Sequence, residues 1–187
     1  MKKNPSVHDL LQTKGKRQLP ELHVDNDLEA TAAEEAGIDM FTCEAEVKLP
    51  LIRAAAPLTF IQAGMPNCAI ASAQEGIRKG YEAIRLGADA VYFSGSPGIV
   101  KAMAREGIPA TGHIGLVPKL AYLDQLPRHR QDATEALQLH RKMKTLESAR
   151  AWAIEVEVVP VKVAAFVTAN TSMITDGMGC GSARDTL

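Results

Sequence analysis

Apolar residues along this chain fall into short runs separated by amphipathic stretches of helical length. Leu19–Val24, Ile38–Cys43, Leu58–Ala63, Ala88–Phe93, Pro109–Ile114, Ala151–Val159 and Ser172–Asp176 read as seven strands. Between them, Asp27–Ala36 reads as a helix stopped by Gly37, and Ser72–Leu86 as one opened by a Ser72/Glu75 capping box. Further helices are expected from Pro97 to Gly107, from an Asp132/Glu135 capping box to about Arg150, and over Val161–Ala169. Residues 47–57 are too few for a full helical return, so the second crossover is abbreviated. Residues 119–130, KLAYLDQLPRHR, form a long polar connection after the fifth strand.

The stretch Gly87–Pro118 is strand, loop, helix, loop and strand, the βαβ unit whose strands run parallel with a right-handed crossover. Seven such units in succession predict an α/β fold, a (β/α)8 TIM-type barrel. A full barrel takes ~250 residues and this chain has 187, so the barrel is expected to be shortened, with strand eight missing. Residues 1–187 are read as a single domain, with polar, Lys-rich residues 1–19 as an N-terminal cap segment. An incomplete barrel exposes the edges of strands one and seven, which predicts a homo-oligomer.

Composition narrows the function. A net charge of −1 argues against nucleic-acid and membrane-surface partners, both of which select basic patches. No apolar run reaches the ~18 residues of a membrane span, and the N-terminus has no signal-peptide core. Cys43, Cys68 and Cys180 are spaced for neither a disulfide framework nor a zinc site, so a reduced, cytoplasmic protein is expected.

In parallel α/β folds chemistry gathers where strands end. Alternation puts Glu155 and Glu157 on one face of the sixth strand, away from Ile154, Val156 and Val158. Glu157, just before the turn, sits where a barrel keeps its acid and base groups. A solvated face of an edge strand is the competing explanation. His113 lies between Gly112 and Ile114-Gly115 at the end of strand five, where a substrate can approach the backbone; His8, His23, His129 and His140 fall in polar or helical segments and read as surface residues. Glu44 and Glu46 follow strand two and form a candidate Mg²⁺-binding pair, or a solvated loop. Gly177-x-Gly179-x-Gly181 offers backbone N–H groups to an anion, or is a flexible tail.

The stretches EEAGID (34–39), GADAVYFSGS (87–96), EGIPATGHIGLVP (106–118), EVEVVP (155–160), HDLLQTKGKR (8–17) and the glycine turn resemble the ketopantoate hydroxymethyltransferase family. That family lies within the isocitrate lyase and phosphoenolpyruvate mutase superfamily. The resemblance implies a barrel that binds Mg²⁺ and a 2-oxo acid, with methylenetetrahydrofolate as a possible co-substrate in pantothenate biosynthesis. It makes Glu157 of the E-x-V-P motif the base and brings His113 of the G-H-I-G motif to the substrate. The family's metal-binding carboxylates fall here on Ala45, Gly64 and Ser94, and its substrate-binding Lys on Tyr92. The expected activity makes or breaks a carbon–carbon bond next to the carbonyl of a 2-oxo acid through an enolate. Glu157 is then the base, His113 and Ser94 line the pocket, and Gly179 lies in the anion-receiving turn. A catalytically silent barrel that binds a small carboxylate, or acts as an assembly subunit, is the alternative.

Overall fold

The computed structural model describes residues 4–66, 69–117 and 133–186. Cys68, His129, Asp132 of the second capping box and the 119–130 connection lie outside the described residues. In chain order the elements are α1 (Val7–Leu11), β1 (Glu21–His23), α2 (Asp27–Glu35), β2 (Met40–Glu44), α3 (Leu49–Ala55), β3 (Phe60–Gly64) and α4 (Ala73–Leu86). They continue with β4 (Ala90–Tyr92), α5 (Pro97–Arg105), β5 (Ala110–Gly115), α6 (Ala133–Ser148), β6 (Ala153–Glu157), α7 (Val161–Ala169) and β7 (Ile174–Met178). The strands form one parallel sheet in sequence order, with seven helices among the described residues. This arrangement is consistent with a shortened TIM-type barrel.

The expected elements are all found among the described residues, and several begin later than the apolar runs suggest. Polar contacts explain the offsets. Leu58 N and Thr59 Oγ1 both donate to the Glu34 carboxylate, at 2.9 and 2.8 Å, so β3 starts at Phe60. Asp89, ahead of β4, pairs with Arg53 and accepts from Ile61 N at 2.8 Å. The abbreviated second crossover is the seven-residue helix α3. The Ser72/Glu75 capping box forms as expected.

Strand alternation divides the apolar side chains into two cores. One face sends Phe41, Cys43, Ile61, Ala63, Val91, Ile114, Ile154 and Val156 into a core shared with the helices. The opposite face sends Met40, Phe60, Ala90, Ala153 and Ile174 into a second cluster with Leu19 and Trp152, onto which α1 packs Leu10. This cluster is the apolar floor of the sheet's interior, and the residues that follow it along each strand build the site.

The strand edges are engaged by the C-terminal segment. Leu19 N donates to Asp185 O at 2.8 Å and Asp185 N to Thr175 O at 3.0 Å, while Leu19 pairs in parallel with Thr186. The buried Asp185 carboxylate accepts from Thr175 N and Thr175 Oγ1, both at 2.8 Å, and from Lys14 Nζ at 2.6 Å. Removing one partner of a buried ion pair costs about 3 kcal/mol or more. Asp185→Ala is therefore expected to lower the melting temperature by roughly 6–12 °C in thermal unfolding followed by circular dichroism. A drop of about 1 °C would mean that this segment does not hold the sheet's two edges.

Candidate active site

Above the apolar floor, the inward positions turn polar. The ends of β1 to β4, β6 and β7 surround a cavity of about 500 Å³ lined by Glu21, His23, Thr42, Glu44, Gly64, Tyr92, Glu155, Glu157, Asp176 and Met178. Period-two alternation on β6 sends both Glu155 and Glu157 into it while Ile154 and Val156 face the helices. Register places His113 of β5 beside Glu155, and Glu155 beside Asp176 of β7.

His113 is the centre of this group, with its side chain only 1% exposed. Its Nδ1 is hydrogen-bonded to the Tyr92 hydroxyl and lies 3.7 Å from Glu155 Oε1. Its Nε2 lies 3.3 Å from Glu157 Oε2, yet makes no well-aligned hydrogen bond. Burial lowers the imidazole pKa to about 4, so the ring is neutral at physiological pH.

The carboxyls shift the other way. Burial, then the nearby Asp176 and Glu157, push Glu155 up to about 8. Burial also raises Glu157. Glu21 rises well above the usual carboxylate range, through burial first and then Asp176; Asp176 is raised by burial. Among the described residues no N–H or hydroxyl donor reaches either Glu21 oxygen, and its neighbour is the Asp176 carboxyl. Two carboxyls hold together only by sharing a proton. Burial raises the Tyr92 hydroxyl as well, keeping it protonated. Donor atoms of His113, Glu155 and Glu157 lie within 4.8 Å of one another, a spacing also found in metal triads.

The backbone fixes Glu157 from both sides. Its carbonyl accepts from Leu116 N at 3.0 Å, and the next residue donates from Val158 N to Met178 O at 2.8 Å. A Cβ at Gly115, where φ is +91°, would stand 2.1 Å from that same carbonyl, so only glycine permits this approach. Val158 adopts φ +50°, a strained conformation for a β-branched residue, directly after Glu157.

The structure brings Glu157 and His113 to 3.3 Å of each other and adds Glu155, but His113, expected to line the pocket, is buried behind Glu155 and Glu157 and is not among the lining residues. Glu44 is at the rim and exposed, its carboxylate oxygens 3.7 and 3.8 Å from where a Gly64 Cβ would be. Glu46 is exposed and, like Ser94 and Gly179, is not among the lining residues; Gly179 forms a left-handed turn beside Val158, while Gly177 does line the cavity. His23 joins the rim, bonded to Thr42 Oγ1 at 3.1 Å, although its segment looked like plain surface. Glu21 and Asp176 escaped sequence reasoning. Their signal is a single carboxyl inside each apolar strand, at the same inward phase as Leu19 and Ile174.

The comparisons agree with this geometry. The family model described as ketopantoate hydroxymethyltransferase matches residues 45–186, and the chain belongs to that family. A 3-methyl-2-oxobutanoate hydroxymethyltransferase of Kosmotoga olearia is 30% identical over 94% of this chain and 75% of its own length. An enzyme of the same name from Thermus thermophilus is 33% identical over 71% of this chain, which spans only 53% of that relative. In fold, the chain is similar to 2,3-dimethylmalate lyase, a PEP mutase/isocitrate lyase superfamily member, with a TM-score of 0.67, 12% identity, and 90% and 70% of the two chains covered. It is similar also to phosphonopyruvate hydrolase in complex with oxalate and Mg²⁺, with a TM-score of 0.67, 14% identity, and 92% and 72% coverage.

The protonated interior has a consequence for stability. In the folded protein Glu155 keeps its proton up to about pH 8, whereas an unfolded Glu releases it near ~4.3. The stability this proton contributes is complete below the unfolded pKa and is lost as pH rises through the folded one. Wild type should therefore melt progressively lower between about pH 5 and pH 8. Glu155→Gln, which cannot ionise, should show a shallower fall, since Glu21, Glu157 and Asp176 still titrate. Parallel melting curves across that range would contradict the assignment of a proton to Glu155.

Proposed function

We propose that this chain makes or breaks a carbon–carbon bond next to the carbonyl of a 2-oxo acid, as a hydroxymethyltransferase-type enzyme, through an enolate formed by Glu157. The observation that carries this reading is the position of Glu157. It ends β6, lines the cavity, has its backbone fixed on both sides, and lies 3.3 Å from a neutral imidazole. Partial burial raises its pKa toward the working pH, which strengthens a carboxylate as a general base. In the proposed step the C3–H bond of 3-methyl-2-oxobutanoate breaks and Glu157 takes the proton. The electron pair forms the C2–C3 double bond, and the carbonyl pair moves onto oxygen. The enolate carbon then attacks a one-carbon electrophile, for which methylenetetrahydrofolate is the donor the family suggests. His113 Nε2 faces the Glu157 carboxylate at 3.3 Å, and the substrate's charged end is placed beside Gly177, where the glycine turn meets the cavity.

Mg²⁺ takes an octahedral shell of oxygens that includes one or two ionised carboxylates. Where the resemblance puts the ligands, this chain carries Ala45, Gly64 and Ser94; Glu44 is the carboxylate lining that side, and it is exposed. Among the described residues the spacing suited to an ion is that of His113, Glu155 and Glu157, which involves none of those three positions. The residues present do not fit the family's ion.

On this reading the chain is a single domain with residues 1–19 as its cap. The C-terminal hydrogen bonds to Thr175 and Leu19 support closure of the barrel. Exposed Leu28, Val47 and Leu51 support a homo-oligomer interface. No helix among the described residues is long and apolar enough to cross a membrane, and the cytoplasm remains the proposed location. The missing carboxylates at positions 45, 64 and 94 favour a second reading, a silent barrel that binds a carboxylate without turning it over.

Proton exchange separates the two. In D₂O the protein should remove the C3 proton signal of 3-methyl-2-oxobutanoate in NMR spectra, and Glu157→Gln should slow this by about 10²–10⁴-fold. Absence of exchange above the buffer rate would favour the silent barrel.

A further inference from the structure

An enolate needs its oxygen stabilised as well as its proton removed. In the family that task goes with a chelated cation, and the donor set here does not fit one. The cavity instead presents protonated groups beside the base. The imidazole of His113 separates two functions: Nε2 faces Glu157, while Nδ1 meets the Tyr92 hydroxyl and Glu155. Tyr92 and Glu155 also contact each other, and both line the cavity. A 2-oxo acid carries its acidic C–H and its carbonyl oxygen on neighbouring carbons, which suits a base and a donor held on either side of one ring.

We propose that Tyr92 is the oxyanion donor of this site, replacing the divalent cation, and that Glu155 is the positioning residue that backs it. The proposal rests on the enolate reading above. When the substrate binds, the Tyr92 O–H turns from His113 Nδ1 to the substrate carbonyl oxygen. The Glu155 carboxyl O–H donates into the Tyr92 oxygen and strengthens that bond. The carbonyl π pair moves onto oxygen and is held there by the Tyr92 O–H, no proton is transferred to oxygen, and the only proton transferred is the C3 proton taken by Glu157. A tyrosine hydroxyl combined with a neutral carboxylic acid is a known means of stabilising an enolate oxygen without metal.

The test follows deuterium exchange of 3-methyl-2-oxobutanoate in EDTA, together with titration of oxalate, a planar mimic of the enolate. Wild type should exchange in EDTA. Tyr92→Phe should slow exchange by about 10²–10³-fold, as expected for loss of one oxyanion donor, and weaken oxalate binding about tenfold or more, with its circular dichroism unchanged. Glu155→Leu should lose most of the exchange, and Glu155→Gln, which still donates, should keep it. If Tyr92→Phe does not fold, Tyr92→Gln against Tyr92→Met compares similar side chains with and without a donor, and only the former should exchange. Exchange that needs Glu157 but is indifferent to Tyr92→Phe would overturn the donor assignment. So would exchange that EDTA abolishes and Mg²⁺, Mn²⁺ or Zn²⁺ restores; in both cases Glu157 keeps its role. If wild type never exchanges, the enolate reading falls, and the donor assignment falls with it.

Discussion

The site depends on how the sheet interior neutralises buried acids. Glu21, Glu155, Glu157 and Asp176 face one cavity, and no lysine or arginine is among its lining residues. An unpaired buried carboxylate is expensive, and such a group takes up a proton before it tolerates a bare charge. The Glu21–Asp176 pair and the elevated Glu155 follow from this, as does His113, which loses its proton because burial disfavours the charged ring. A neutral imidazole can then lie between a potential base and a hydroxyl without cancelling either.

The scaffold makes that arrangement possible through strand alternation. Four apolar residues of the floor are followed two positions later by a polar residue of the cavity wall: Leu19 by Glu21, Ala90 by Tyr92, Ala153 by Glu155 and Ile174 by Asp176. The floor keeps water from below, and the outer core locks the strands against the helices. Close backbone approach at Gly115 and the left-handed Val158 then aim Glu157 at the cavity. Strain at one residue is worth about 1–3 kcal/mol, so the surrounding packing has to hold it.

Much of this was legible in the sequence. Period-two alternation identified the shared face of Glu155 and Glu157, and the G-H-I-G and E-x-V-P motifs singled out His113 and Glu157, which the fold brings to 3.3 Å of each other. The seven strands and the Ser72/Glu75 cap were likewise readable, because short-range patterns decide them. The Glu21–Asp176 pair was not, because it joins strands more than 150 positions apart and needs the sheet's curvature to meet. Nor was the left-handed Val158, since a valine there contradicts local preference and is imposed by its neighbours. Tyr92 was visible only as a position where the family carries another residue. Its role emerges once His113 and Glu155 surround it. Glu46 illustrates the opposite case: adjacent to a strand end in sequence, it lies outside the lining.

The most direct test of the account is the protonation state of His113. Heteronuclear NMR of the imidazole nitrogens, titrated from pH 8 to pH 5, reads it without substrate or turnover. A ring that stays neutral down to pH 5, with two inequivalent nitrogens, is the predicted result for a pKa of about 4. Titration at the ordinary histidine value of ~6.5 or above would contradict it. That outcome would mean an imidazolium paired with ionised Glu155 and Glu157, and the proton-filled interior would be wrong.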